Sequence, residues 1–167
     1  KAALPHLRAQ GFGRIVQVSS EGGQIAYPGF SLYHASKWGI EGFIESLAKE
    51  VQPFDIYFMI VEPGPSRTAF VGSIVLPDPI SDYDGTPAHD LKDAAFGGGW
   101  VIKGDPDRMV DAMITAADAP VMPFRLLLGK DAYAGVHGAL SERLAVLEAG
   151  RDVTEAADFT EEELAAM

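Results

Sequence analysis

Tyr33 and Lys37 are the first residues in the chain whose types and spacing could do chemistry. A separation of four puts both side chains on one face of a helix, one turn apart. An ammonium beside a phenol favours the phenolate and lowers a pKa that is about 10 when unperturbed, so the pair suits acid/base work near neutrality. Alone the pair is weak, because a surface tyrosine and lysine meet at that spacing by chance. Two further segments strengthen it. Ser20 follows the short β-branched run Ile15, Val16, Gln17, Val18, while Pro63 and Gly64, with Ser66 and Thr68 behind them, close the apolar run 56–61. Carboxyl ends of strands are where open α/β sheets hold ligands, so three segments converge on one crevice. Strand alternation and the thirteen-residue spacing to Tyr33 favour Ser20 over Ser19. Tyr27, Tyr57, Tyr83 and Tyr133 lack a lysine four residues on and read as core or surface; His6, His34, His89 and His137 are scattered, so no metal site is expected. His34 points about a quarter-turn from Tyr33 and reads as structural. Glu62 either lines the crevice or caps a strand end.

These residues need elements to hold them. Ala2, Ala3, Leu4 and Leu7 lie at helix spacing, with Gly11 placed as the glycine after a helix end. The run 15–18 reads as a strand of a parallel sheet with an apolar edge exposed, and 20–30 as a loop rich in Gly and Pro. From Ser31 to Gln52 apolar residues recur at three and four, predicting a long amphipathic helix that Pro53 stops. Residues 56–61 (IYFMIV) read as a second strand, a buried one. Residues 64–104 are loop-like, with short helices expected near Arg67 to Val71 and Ala88 to Phe96. Asp105 and Pro106 suit an N-cap and first helical residue, followed by a helix, a third strand at Phe124 to Leu128 and a last helix from Asp131 to Ala149. The acidic stretch after it reads as a solvated end. The alternation implies α/β architecture with a parallel sheet of three strands and right-handed crossovers. We expect residues 1–150 to form one structural portion and 151–167 an acidic tail.

Composition narrows the function classes. With 47% hydrophobic and 22% charged residues the 167-residue chain can bury a core. Its 24 acidic against 13 basic residues, net −11, argue against nucleic acid or an anionic membrane as partner. The absence of cysteine excludes a thiol nucleophile and Cys-ligated zinc within the chain, and fits a reducing compartment such as the cytoplasm. No apolar run reaches the ~18 residues of a spanning helix.

The segments GRIVQVSS (13–20), YHASK with its helix (33–52) and VEPGPSRT (61–68), with GDP (104–106) and RLLLG (125–129), resemble the short-chain dehydrogenase/reductase family in order and spacing. The resemblance implies the last three strands, and their helices, of a Rossmann-like doubly wound sheet. It implies reversible alcohol/carbonyl interconversion by hydride transfer with NAD or NADP. Tyr33 would be the general acid/base and Ser20 would hydrogen-bond the reacting oxygen. Lys37 would assist Tyr33 and bind the nicotinamide ribose, while Pro63, Gly64, Ser66 and Thr68 would hold the carboxamide. Residues from about Ala69 to Gly99 would form the substrate loop, with Trp100 at its far end. A small-molecule alcohol or carbonyl substrate and a homo-oligomer built through the long helix and the last helix are implied as well.

Departures accompany the match. No Gly-rich dinucleotide turn follows a strand, and Gly97 to Gly99 sit in loop context. The family's catalytic asparagine has no counterpart, since the chain contains none, and Pro65 removes a backbone N–H beside the carboxamide site. We therefore expect the carboxyl-terminal catalytic part of a longer enzyme, with the dinucleotide-binding part missing and this portion inactive by itself. Two other readings remain. One is a non-catalytic remnant serving as an interaction module, which an upstream start codon just before Lys1 would favour. The other is a sugar-nucleotide epimerase or dehydratase using the same Tyr–Lys pair, which would keep its cofactor bound during turnover.

Overall fold

The computed structural model describes residues 2–75, 78–90, 97 and 101–167. Three parallel strands, β1 (Gly13–Val18), β2 (Ile56–Pro63) and β3 (Arg125–Leu128), form a sheet in the order β1-β2-β3. The register runs from Gly13 opposite Ile56 to Val18 opposite Val61, and from Ile60 opposite Arg125 to Pro63 opposite Leu128. Because the pairing is parallel, the carboxyl ends of β1, β2 and β3 all lie at one edge, where the site is built. The α/β architecture with a three-stranded parallel sheet is the one the sequence predicts.

The helices are α1 (Ala3–Gln10), α2 (Ser31–Val51), α3 (Pro106–Asp118), α4 (Lys130–Ala149), α5 (Arg151–Glu155) and α6 (Glu161–Ala165). Gly11, at φ 75°, ends α1 in the left-handed region and donates to Leu7 O and Arg8 O. After α2, Pro53 sits in a single 3₁₀ turn and Asp55, at φ 53°, turns the chain into β2. At α3, Asp105 caps the backbone N–H groups of Asp107 and Arg108 with Pro106 in the first turn.

β2 is the centre of the core. Ile56, Phe58 and Ile60 alternate along it and pack with Ile44 and Val51 of α2, supported by Leu4, Leu7, Ile15, Ile40 and Leu47. Met59 and Val61, fully buried, occupy the opposite side of the strand. Burial on both faces is why this strand reads as a continuous apolar run rather than an alternating one. Among the described residues β1 lies at the edge of the sheet, with Val16 and Val18 40% and 48% exposed.

One local expectation changes. Residues 67–70 are not helical: Ser66 forms a lone parallel bridge with Gly104, and Arg67 donates from its backbone to Gly104 O and from Nε to Ile102 O. Those bonds tie the segment to chain nearly forty residues away, and the 3₁₀ turn falls at Val71–Ser73 instead. A helical turn covers 87–90, while the remainder of the expected 88–96 helix, with Gly98, Gly99 and Trp100, lies outside the described residues. The acidic end is exposed and carries α5 and α6, the latter closed by a reciprocal capping box between Thr160 and Glu163.

Candidate active site

The first loop at the sheet edge follows β1. Ser19 N donates to Val61 O, which carries the β1–β2 pairing one residue past the strand, and Ser20 then caps a 3₁₀ turn at Glu21–Gly23. Its Oγ accepts from Gly22 N at 3.0 Å, leaving the hydroxyl proton free to be donated elsewhere. The side chain of Ser19 turns the other way and donates to Glu41 Oε1 at 2.6 Å.

Helix α2 supplies the second wall. Tyr33 and Lys37 lie one turn apart with Lys37 Nζ 5.7 Å from the Tyr33 ring centroid. Lys37 Nζ donates to Ser19 O at 3.2 Å, tying the helix to the end of β1. Burial pulls the Lys37 pKa below the usual lysine value, with the charge of Glu41 opposing it. Phe30 and Phe70 pack their rings against Tyr33.

The third wall follows β2. Gly64 N donates to Leu128 O at 2.8 Å, and a Cβ at Gly64 would come within 2.8 Å of the Ala132 methyl, so only glycine admits α4 this close. Thr68 N donates to Ser66 O, and Thr68 Oγ1 accepts from Phe70 N. A cavity of about 370 Å³ lies between the three walls. Ser20, Tyr33, Lys37, Pro63, Gly64, Ser66 and Thr68 all line it, joined by Glu21, Tyr27, Phe30, His34, Phe70, Val71, Ile74 and Ile102. Ser19 also reaches the lining while its hydroxyl is committed to Glu41.

His34 is structural. Its ring is buried; Nε2 accepts from Tyr27 N and Nδ1 lies 2.8 Å from Gly22 O, an arrangement satisfied with the proton on Nδ1. It staples the 21–27 loop to α2. Gly22 sits against it: a Cβ there would lie 2.9 Å from Tyr33 Cε1.

Behind the cavity is a charge cluster that sequence reasoning missed. Glu41 and Glu62 are almost fully buried, and both pair with Arg125, which also reaches Glu45. Gln24 and Ser19 donate to Glu41 as well, so this carboxylate fastens the β1 loop to α2. Burial pushes the Glu62 pKa up to about 7, reinforced by the Glu41 charge and opposed by Arg125. The available signal was Glu41 standing one turn after Lys37, between Ile40 and Ile44 on the apolar side of the helix. Glu62, left open between pocket lining and cap, is an ion-pair partner of Arg125. Tyr27 is also more than core or surface: its hydroxyl donates to Glu21 Oε1 at 3.3 Å at the cavity wall. Burial, followed by the Glu21 charge, pushes the Tyr27 pKa up. Burial likewise raises that of Glu21, with Asp131 adding and the Tyr27 bond opposing.

Gly23 is fixed by this cluster, because a Cβ would overlap the Glu41 carboxylate. Gly23→Ala should cost about 1–3 kcal/mol by overpacking, measured as a fall in the urea midpoint with an unchanged m-value.

The family model described as short chain dehydrogenase matches residues 1–77. A solved short-chain dehydrogenase from Streptomyces avermitilis is 34% identical, with a TM-score of 0.78, over 93% of this chain and 56% of that one. Oxidoreductase BOA17 of Botryotinia fuckeliana is 38% identical over 81% of this chain and 50% of its own length. Human retinol dehydrogenase 8 is 37% identical over 54% of this chain and 29% of its own. A short chain dehydrogenase from Burkholderia cenocepacia, solved in complex with NADP, shares the fold at a TM-score of 0.59 and 21% identity, over 86% of this chain and 49% of that one. The chain spans about half the length of the first of these curated relatives. Motif order, parallel sheet and relatives agree: the chain belongs to the short-chain dehydrogenase/reductase family of oxidoreductases.

Proposed function

We propose that the cavity is the reaction site of a nicotinamide-dependent oxidoreductase that interconverts alcohols and carbonyls, with Tyr33 as general acid/base. The observation that carries this reading is the grouping of Ser20, Tyr33 and Lys37 around one cavity with Pro63, Gly64, Ser66 and Thr68. The residues fit a nicotinamide ring and its ribose. Lys37 has two N–H donors left after Ser19 O is satisfied, which suit a ribose diol. Val18 and Pro63 offer apolar surface to a planar ring, and the Thr68 hydroxyl and the backbone near Ser66 suit a carboxamide. When bound, NAD or NADP supplies the two-electron redox chemistry.

The chain's own groups do the rest. In reduction, Tyr33 donates its phenolic proton to the carbonyl oxygen; in oxidation it takes that proton back. Ser20 donates its free hydroxyl proton in a hydrogen bond to the same oxygen, where negative charge develops. Lys37 holds its positive charge beside the phenol, and its bond to Ser19 O keeps it there. Phe30 and Phe70 shield the phenol from water. Cytoplasmic location and association of two copies through exposed residues such as Leu32 and Phe43 on α2 and Leu144 and Leu147 on α4 belong to the same proposal. Among the described residues, no helix is long and apolar enough to cross a membrane.

The experiment is reduction of a panel of ketones and aldehydes by NADPH and by NADH with the whole protein, following loss of the reduced nicotinamide absorbance. We expect one carbonyl reduced per nicotinamide oxidised and released. Lys37→Met should lower kcat by about 10²-fold or more and raise the KM for the dinucleotide. A Lys37→Met enzyme with wild-type kcat and KM would contradict the reading, as would turnover with no net nicotinamide oxidation.

A further inference from the structure

Glu21 follows Ser20 directly, is only 6% exposed, and lines the same cavity. Neither the proton transfer nor the cofactor contacts described above use it. Its Oε1 accepts from the Tyr27 hydroxyl at 3.3 Å. Its Oε2 has no hydrogen-bond donor among the described residues and lies beside Gly64, where a Cβ would meet it at 3.4 Å. Much of the rest of the cavity wall is apolar, formed by Phe30, Phe70, Val71, Ile74 and Ile102. Oε2 keeps spare lone pairs and is not sealed from solvent, so it is available to a donor on a molecule in the cavity. The other polar side chains that the reading above uses, Ser20, Tyr33, Lys37 and Thr68, serve the reacting oxygen and the cofactor, so a further donor on the bound molecule has Glu21 Oε2 to meet.

We propose that Glu21, held by Tyr27, is a specificity subsite selecting alcohols and carbonyls with an apolar body and a second hydrogen-bond donor, a hydroxyl or an ammonium, while rejecting anionic substrates. This rests on the reading of the cavity as an alcohol/carbonyl site. A substrate hydroxyl donates to Glu21 Oε2 while its carbonyl meets Ser20 and Tyr33. A substrate carboxylate in the same place faces a like charge.

The test compares three ketones of similar size, 4-hydroxycyclohexanone, 4-methylcyclohexanone and 4-oxocyclohexanecarboxylate, in the whole protein with NADPH and NADH. Binding of cyclohexane-1,4-diol and 4-hydroxycyclohexanecarboxylate is measured alongside by ligand-observed NMR. We expect kcat/KM for the hydroxyketone to exceed that for the carboxylate by about tenfold or more, and the diol to bind more tightly than the hydroxy acid. Glu21→Leu should abolish both preferences. Glu21→Gln, which keeps an acceptor but loses the charge, should retain the preference for hydroxyl over methyl and relax the rejection of carboxylate. Variants that scale all three ketones equally, or leave the selectivity untouched, would overturn the subsite. Glu21-dependent binding of the diol without any carbonyl reduction would support the subsite and overturn the reaction. Carbonyl reduction with Glu21-independent selectivity would do the reverse.

Discussion

Tyr33→Phe should lower carbonyl reduction by the whole protein by about 10²–10⁴-fold while leaving the dinucleotide affinity within about twofold. Phenylalanine keeps the ring that packs against Phe30 and Phe70, so the cavity retains its shape and only the hydroxyl is lost. That hydroxyl is the proposed source and sink of the proton, and Ser20, whose proton is needed for a hydrogen bond to the same oxygen, cannot replace it at equal rate. Ser20→Ala should therefore cost less than Tyr33→Phe, since it removes one stabilising hydrogen bond rather than the proton donor. Steady-state kinetics with fluorescence titration of NADPH separates the two effects, and a Tyr33→Phe enzyme at wild-type turnover would refute the mechanism.

The second large effect is on stability. Arg125→Met should destabilise the fold by about 3–5 kcal/mol, because Glu41 and Glu62 are almost fully buried and would lose their shared cation. The wild type already bears part of that cost. Glu62 titrates near 7 in the folded protein against an ordinary 4.5, so the folded state binds this proton more tightly than the unfolded chain does. The contribution to stability is complete below pH about 4.5, falls as pH rises towards 7, and levels off above that. Glu21, raised by its own burial, acts in the same direction. Urea unfolding at pH 5 and pH 8 should show the decline, and Glu62→Gln should flatten it. A wild type more stable at pH 8 than at pH 5, with Glu62→Gln showing the same slope, would contradict this account of the cluster.

The contrast between these two predictions shows which parts of the molecule the sequence exposes. Tyr33 and Lys37 are four residues apart on a helix whose apolar period is plain, so their shared face follows from helix geometry alone. Gly11, and Asp105 with Pro106, announce helix ends through local backbone chemistry, and β2 declares itself as a buried strand by its unbroken apolar run. Arg125 stands 84 residues from Glu41 and 63 from Glu62, so although Glu41 falls on the apolar side of its helix, nothing local names the partner that pairs with it. Gly23 is constrained by Glu41 eighteen positions on, which no turn rule anticipates. The stretch 64–104 misleads for the same reason: the Ser66–Gly104 bridge decides its shape, and the local hint of helix at 67–71 yields to it.

The most direct measurement is chemical-shift mapping of NADPH on the whole protein, with and without Lys37→Met. The expected result is that perturbations centre on the backbone signals of Ser20, Gly22, Tyr33, Gly64 and Thr68, the residues that surround the cavity, and weaken in the variant. Saturating NADPH that leaves these signals in place while shifting others would contradict the claim that this cavity holds the reacting end of the cofactor.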